Sequence, residues 1–318
     1  MSVSSVEVAP APAPAAEVPA VTAGAPRSRG NLRDRGLLFL ALPSVVWYVL
    51  FTIGPLVAMF VIAFVNWEGL ASKPSWAGLD NFARLVQDDR IYHAAGITAV
   101  HMVDTLPLMM ALSYMLGYFL NLKLAGHRLL RVICFIPALI SVSSLGMMFV
   151  AVLGPVGLVN GALEQLGLHE ATTAWLADPT WALPALIAIT IWSGTGFNAV
   201  LFAARLSSID PDIYAAAELD GAGHWQKMWR IAFPMTLDYF GVLVMLQYLW
   251  TLFGSAGLVL ILTGGGPGRS TETLSWLVFR FGYSDSDVGY SQAIGIVLFV
   301  LGVLGLLVIR RLLRALYL

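Results

Sequence analysis

The sequence predicts an all-α integral membrane protein with six transmembrane helices, and three observations carry that prediction. First, the chain of 318 residues is 58% hydrophobic and only 12% charged, with a mean hydropathy of +0.78. A soluble domain carries about 25% charged residues. Second, the apolar residues fall in continuous runs, and a membrane-crossing helix needs about 20 mostly apolar residues. Third, Lys and Arg segregate to alternate connections, as they do in multi-pass proteins. The continuity of the runs excludes a β-barrel, whose strands alternate apolar and polar residues.

Residues 1–33 hold "VAPAPAPAAEVPAVTAGAP", an Ala/Pro-rich stretch without a long branched apolar run, which reads as a disordered tail. It lacks the basic start and apolar core of a signal peptide, so the first span is expected to act as its own insertion signal. Charge-free runs then cover Gly36–Trp67, Val132–Leu163, Pro179–Ala204, Tyr239–Gly268 and Val288–Ile309, and a sixth apolar segment, Ala94–Leu120, carries His101 and Asp104. The helices are expected near 37–65, 94–120, 131–153, 183–205, 238–262 and 290–312. Residues 34–93 thus form the first span with an extracytoplasmic loop, and 94–318 the five-span core, interrupted by a polar loop at 206–236.

With a cytoplasmic N-terminus, the inside regions hold Arg27, Arg29, Arg33, Arg35, Lys123, Arg128, Arg131, Arg205, Lys227, Arg230, Arg310, Arg311 and Arg314, which is 13 of the 18 basic residues. Lys73, Arg84, Arg90, Arg269 and Arg280 remain for the outside. Both termini are therefore expected on the cytoplasmic side. A net charge of −1 gives no hint of nucleic acid. The single cysteine, Cys134, makes no internal disulfide and no paired-Cys metal site; it reads as a small buried hydrophobe. No metal site is expected.

The loop contains "YAAAELDGAGHWQKMWRIAFP", from Tyr214 to Pro234. Asp210 can cap a helix, Pro211 suits its first position, and Asp212 favours its positive dipole end. Ala215, Ala216 and Ala217 form helix readily and leave a smooth surface. Asp220–Gly221 reads as a stop and turn. A second helical stretch runs from Ala222 through Trp225, Met228, Trp229 and Phe233, with Pro234 expected to break it. The loop is a helix–turn–helix suited to docking a cytoplasmic partner; an amphipathic helix lying on the membrane is the plainer alternative.

This segment resembles the "EAA" loop of binding-protein-dependent ABC importer permeases, whose pattern is Glu-Ala-Ala, three residues, Gly, nine residues, Ile, one residue, Leu-Pro. Here the positions are Ala215-Ala216-Ala217, Gly221, Ile231, Phe233 and Pro234, with every interval preserved. The family's glutamate is Ala215 and its leucine is Phe233; Glu218, three residues on, is a candidate substitute for the missing carboxylate. "RVICFIPALIS", "GLVNGALEQLGL", "WLADPTWALPALIAITIWSGTGF" and "LILTGGGPGRSTETL" are similar to the sugar-permease branch, of the maltose and glycerol-3-phosphate importer type. The similarity runs from about Leu37 to the C-terminus.

The resemblance implies a type I ABC importer permease fold in a bacterial plasma (inner) membrane. It implies four kinds of partner: the lipid bilayer, a second permease subunit that is a distinct chain, two copies of a cytoplasmic ATPase that uses ATP and Mg, and an extracytoplasmic solute-binding protein. No cofactor is expected on this chain, and it is not expected to be an enzyme. "GGGPGRST" fails the phosphate-loop spacing, with Arg269 where Lys belongs and Thr263 where the first Gly belongs. Ala215, Ala216, Ala217, Glu218, Asp220, Gly221, Ala222, Ile231 and Pro234 are the expected coupling residues.

Two helical stripes are candidates for a carbohydrate path: Thr190, Ser193, Gly194 and Phe197 in the fourth span, and Gln247, Trp250 and Thr251, with Gly254, in the fifth. Aromatic faces beside amides and hydroxyls suit a sugar ring, while ordinary packing by small residues is the competing reading. His101 and Asp104 are costly in lipid and are expected to face the interior or a cavity. A buried polar contact with a neighbouring helix or the partner subunit is the plainer reading of the pair; the rival is an ion- or proton-coupled secondary transporter.

Overall fold

The computed structural model describes residues 33–69 and 72–316. The tail expected over 1–33 lies outside the described residues except for Arg33. The chain divides into two units, Met1–Ile53 and Gly54–Leu318. In the first, helix Arg33–Tyr48 runs into a π-helical turn, Val49–Ile53, and the described side chains from Ala41 onward are exposed.

The second unit is helical, with one two-residue hairpin pairing Val65 with Trp76 and Asn66 with Ser75. Asn81, buried in the short helix Asp80–Gln87, anchors that hairpin by donating its amide to the carbonyls of Ala63 (2.9 Å) and Val65 (3.1 Å). Helices long and apolar enough to cross a membrane are Ala41–Ile62, Asp89–Asn121, Ala182–Leu206, Leu237–Leu262 and Val288–Ala315. Each lies within a few residues of its expected position. The third expected span, 131–153, is not straight. It is a pair, His127–Leu139 and Val142–Val152, bent by 100°. The reason is local: Pro137 cannot donate a helical hydrogen bond, and Ser141 is an extended N-cap whose hydroxyl accepts from the Ser144 amide (3.2 Å). A run of apolar residues hides such a break.

The core has two main centres. Near the middle, Leu186, Ile189, Leu252, Val259, Leu277 and Ile294 pack among the second, fourth, fifth and sixth spans. At the end bearing the 206–236 loop, Tyr114 and Tyr118 of the second span pack with Phe202, Leu206, Met228 and Leu243. The second and fourth spans approach closely where Gly117 faces the backbone of Ala199, and a Cβ at Gly196 would overlap the carbonyl of Cys134. Cys134 itself is half-buried rather than fully enclosed.

At the opposite end, Glu272 is held by Arg90 (Nη2 to Oε1 2.5 Å, Nε to Oε2 3.0 Å) and by Arg280 (3.3 Å). Beside it Ser255 hydrogen-bonds Thr273 (3.0 Å) and Ser275 (2.7 Å), and the Leu274 amide donates to Thr98 (2.9 Å). The Gly-rich loop is therefore tied to the second and fifth spans by buried polar contacts.

Candidate functional site

The two stripes meet. Thr190, Ser193, Gly194 and Phe197 lie in the middle third of Ala182–Leu206, and Gln247, Trp250, Thr251 and Gly254 in the middle third of Leu237–Leu262. All eight line one cavity of about 340 Å³, closed elsewhere by apolar residues such as Met109, Pro137, Ile140 and Leu145. That volume falls at the small end of small-molecule sites, about 300–1,000 Å³.

The polar groups of the wall differ in how far they are already engaged. The Thr190 and Ser193 hydroxyls donate to backbone carbonyls of their own helix, to Leu186 (2.8 Å) and Thr190 (3.1 Å). Gln247 and Thr251 are buried, yet no hydrogen bond ties either side chain to another described residue. Trp250 and Phe197 stand at 70% and 38% exposure, so the cavity opens toward the face of the chain that they occupy. The site offers an aromatic rim, an uncommitted amide and an uncommitted hydroxyl.

His101 also lines this cavity, with Nε2 3.5 Å from Thr190 Oγ1 and a buried Nδ1 that has no partner among the described residues. The expectation that His101 and Asp104 share a buried environment is corrected. His101 is buried, but Asp104 is exposed on the surface of the chain. Three residues leave the two side chains only about 60° apart around the helix, and His101 falls on the packed side of the edge while Asp104 falls on the exposed side. The pair does not converge on one proton-binding position.

The 206–236 loop has the expected helix–turn–helix. Asp210 accepts from the Asp212 amide (3.0 Å), Pro211 opens helix Pro211–Leu219, and Gly221 turns at φ +80°. Ala215, Ala216, Glu218, Asp220 and Gly221 are exposed, beside Leu219 at 91%; Ala217, Ala222 and Ile231 are half-buried. Pro234 does not break the second helix. The chain stays helical through Met235 and breaks at Thr236 (φ −120°). Because Pro234 cannot donate to the carbonyl four residues back, the strain is taken up by a π-helical stretch, Lys227–Ala232, where the Phe233 amide reaches Met228.

Glu218 has a definite role in this geometry. Its carboxylate accepts from Lys227 Nζ at 3.4 Å, joining the two arms of the hairpin, and Lys227 is otherwise buried. At the base, Arg205 and Asp238 pair at 3.5 Å across the loop's two ends. The second arm is seated on the bundle: Tyr114 hydrogen-bonds Thr236 (3.2 Å) and its ring meets Trp229, Phe233 and Phe240. Burial pushes the Tyr214 phenol up to about 12. Sequence reasoning missed Tyr114, Tyr118 and Thr236 as anchors; the two tyrosines, four apart near one end of an apolar span, were the available signal.

A multi-pass helical protein with a mid-bundle cavity, and a polar loop seated on the same helices, has the architecture of a membrane transport subunit. Residues 105–316 match the family described as binding-protein-dependent transport system inner membrane component, and the chain belongs to that family. It is similar to the diacetylchitobiose uptake system permease protein of Streptomyces coelicolor, 30% identical over 295 residues, covering 88% of this chain and 83% of that protein. It is also similar to the multiple sugar-binding transport system permease protein of Streptococcus mutans, 30% identical over 280 residues, covering 86% and 94%. Among solved structures, a bacterial ABC transporter involved in the import of the acidic polysaccharide alginate matches with a TM-score of 0.78 at 25% identity, over 89% of this chain and 96% of that chain. The chain is thus a multi-pass permease subunit of a binding-protein-dependent transporter.

Proposed function

We propose that this permease imports a carbohydrate, and that the cavity shared by the fourth and fifth spans is its solute site. The observation that carries the reading is the convergence of Trp250, Phe197, Gln247 and Thr251 on one cavity. Aromatic faces suit the apolar C–H surface of a sugar ring, and an amide and a hydroxyl suit its hydroxyl belt. The carbohydrate names carried by the similar permeases point the same way. The lining has no Lys or Arg, which disfavours a phosphorylated solute.

In this reading a binding protein delivers solute on the side opposite the 206–236 loop, and a second permease chain completes the path. Two ATPase subunits, which hold ATP and Mg, dock on the loop through the exposed face of Ala215, Ala216, Leu219 and Gly221. Closure of the ATPase pair biases the two access states of the permease, because the loop's second arm moves with Tyr114 of the second span. The loop and both termini lie on the cytoplasmic side of a bacterial inner membrane. The proton-coupled alternative has no support in the placement of His101 and Asp104, which face different surroundings.

The test is a carbohydrate panel. The cognate binding protein is screened for ligands, and each hit is offered to the reconstituted complex. ATP-dependent uptake of a neutral sugar supports the proposal; uptake restricted to amino acids, peptides or ions would refute it.

A further inference from the structure

Asp104 is the least expected charge in the molecule. It lies 15 residues from Asp89 and 17 from Asn121 in the second span, so about 22 Å and 25 Å from the helix ends. The hydrocarbon core is about 30 Å thick, which places the carboxyl near mid-depth. A single-methylene side chain cannot reach a headgroup from there, and lipid tails offer no hydrogen bond. A charged group at this depth faces other protein or a water-filled cavity rather than lipid tails. Among the described residues, no hydrogen bond or ion pair engages it.

The surroundings of Asp104 point to a helix that carries a donor. Pro107, one turn on, has no N–H to offer the carbonyl of Val103, which is itself 69% exposed. The Asp104 carboxyl thus stands on an exposed face, next to a carbonyl that lacks its usual donor four residues on. Above them the same face carries Gly96, Ala99 and Val100, and a Cβ at Gly96 would meet nothing within 4 Å. Small residues on an open face let another membrane helix come close. The described spans of this chain expose no Lys, Arg, Asn or Gln in their central turns, so a second copy offers neither a cation nor an amide at this depth.

We propose that this face of the second span is the seat of a transmembrane helix from a distinct second permease subunit, which gives Asp104 and the Val103 carbonyl a cationic or amide donor. The proposal rests on the reading of the transporter as a pair of permease chains. Asp104 then selects its partner: a helix without a donor leaves the carboxyl unpaired in the dry contact.

The test uses the assembled complex of this chain with its second permease, its ATPase and its binding protein, first checked for ATP-driven uptake. A benzophenone amino acid is placed at Val100, at Val103 or, for comparison on the exposed side of the last span, at Leu304. Adducts with the second permease from 100 and 103 but not from 304 support the interface. Adducts with lipid only, or with another copy of this chain, overturn it. Separately, Asp104→Leu, which suits lipid better and so does not threaten insertion, is expected to reduce co-purified second permease about three- to tenfold, while Asp104→Asn keeps an acceptor and retains it. Equal retention by both variants overturns the proposal. If the unaltered complex is uptake-competent and the adducts fail, the interface is wrong and the transporter reading stands. If no second permease co-purifies and no uptake occurs, both fall.

Discussion

Replacing Arg90 by methionine removes two of the three N–H contacts to Glu272, at 2.5 Å and 3.0 Å, and leaves the Arg280 contact at 3.3 Å. Glu272 is 3% exposed and Arg90 16%, so water does not take over. Hydrogen bonds to a charged group contribute about 1.5–3 kcal/mol each. Two lost contacts, partly offset by a closer approach of Arg280, give an expected loss of about 3 kcal/mol, near the lower figure for orphaning one partner of a buried pair. The double variant Arg90→Met/Glu272→Leu removes the buried carboxylate as well. Arg280 keeps Asp285 at 3.4 Å, so the double variant is expected within about 1 kcal/mol of the parent. Unfolding in mixed detergent micelles, followed by reaction of the single thiol at Cys134, reads both. A loss under about 0.5 kcal/mol for Arg90→Met, or an equal loss in the double variant, would refute the reasoning.

Gly196→Ala places a methyl on the Cys134 carbonyl, a backbone atom that cannot step aside. We expect a cost of about 1–3 kcal/mol and faster maleimide labelling of Cys134; unchanged labelling would show that the two helices are not in contact. Glu218→Gln leaves buried Lys227 without its carboxylate, but Glu218 is 74% exposed, so ATPase co-purification is expected to fall by no more than about fivefold. Adding Lys227→Met should restore it; a larger fall that this second change does not repair would make Glu218 a direct ATPase contact. Gln247→Leu and Thr251→Val are each expected to raise the KM for uptake about five- to tenfold with ATPase docking intact. Unchanged KM in both would remove the cavity from the solute path.

The spans were legible because the bilayer imposes one requirement on them, an uninterrupted apolar length. The fourth was expected at 183–205 and runs Ala182–Leu206; the fifth was expected at 238–262 and runs Leu237–Leu262. The same requirement hid the 100° break at Ile140–Ser141, since a bent pair and a straight helix share one apolar composition. Helical spacing alone grouped Gln247 with Trp250 and Thr251, because residues three and four apart share a face. It could not reveal that His101 and Met109 complete the same wall, since that depends on how the second span packs on the fourth. Nor does local sequence show Glu272 buried against an arginine 182 residues away. Asp104 was read as facing the interior or a cavity from its cost in lipid, whereas it is exposed on this chain, because which side of a helix packs is set by its neighbours and not by local sequence.

The account depends most on the loop that joins an ATPase to the cavity. Its direct measurement is uptake of binding-protein-delivered sugar by the reconstituted complex, with and without Gly221→Pro. Gly221 sits at φ +80°, a conformation the proline ring forbids. The account predicts ATP-dependent uptake in the parent complex and its loss in the variant, with binding of sugar to the binding protein unchanged. Uptake that persists without ATP, or that survives in the variant, would contradict it.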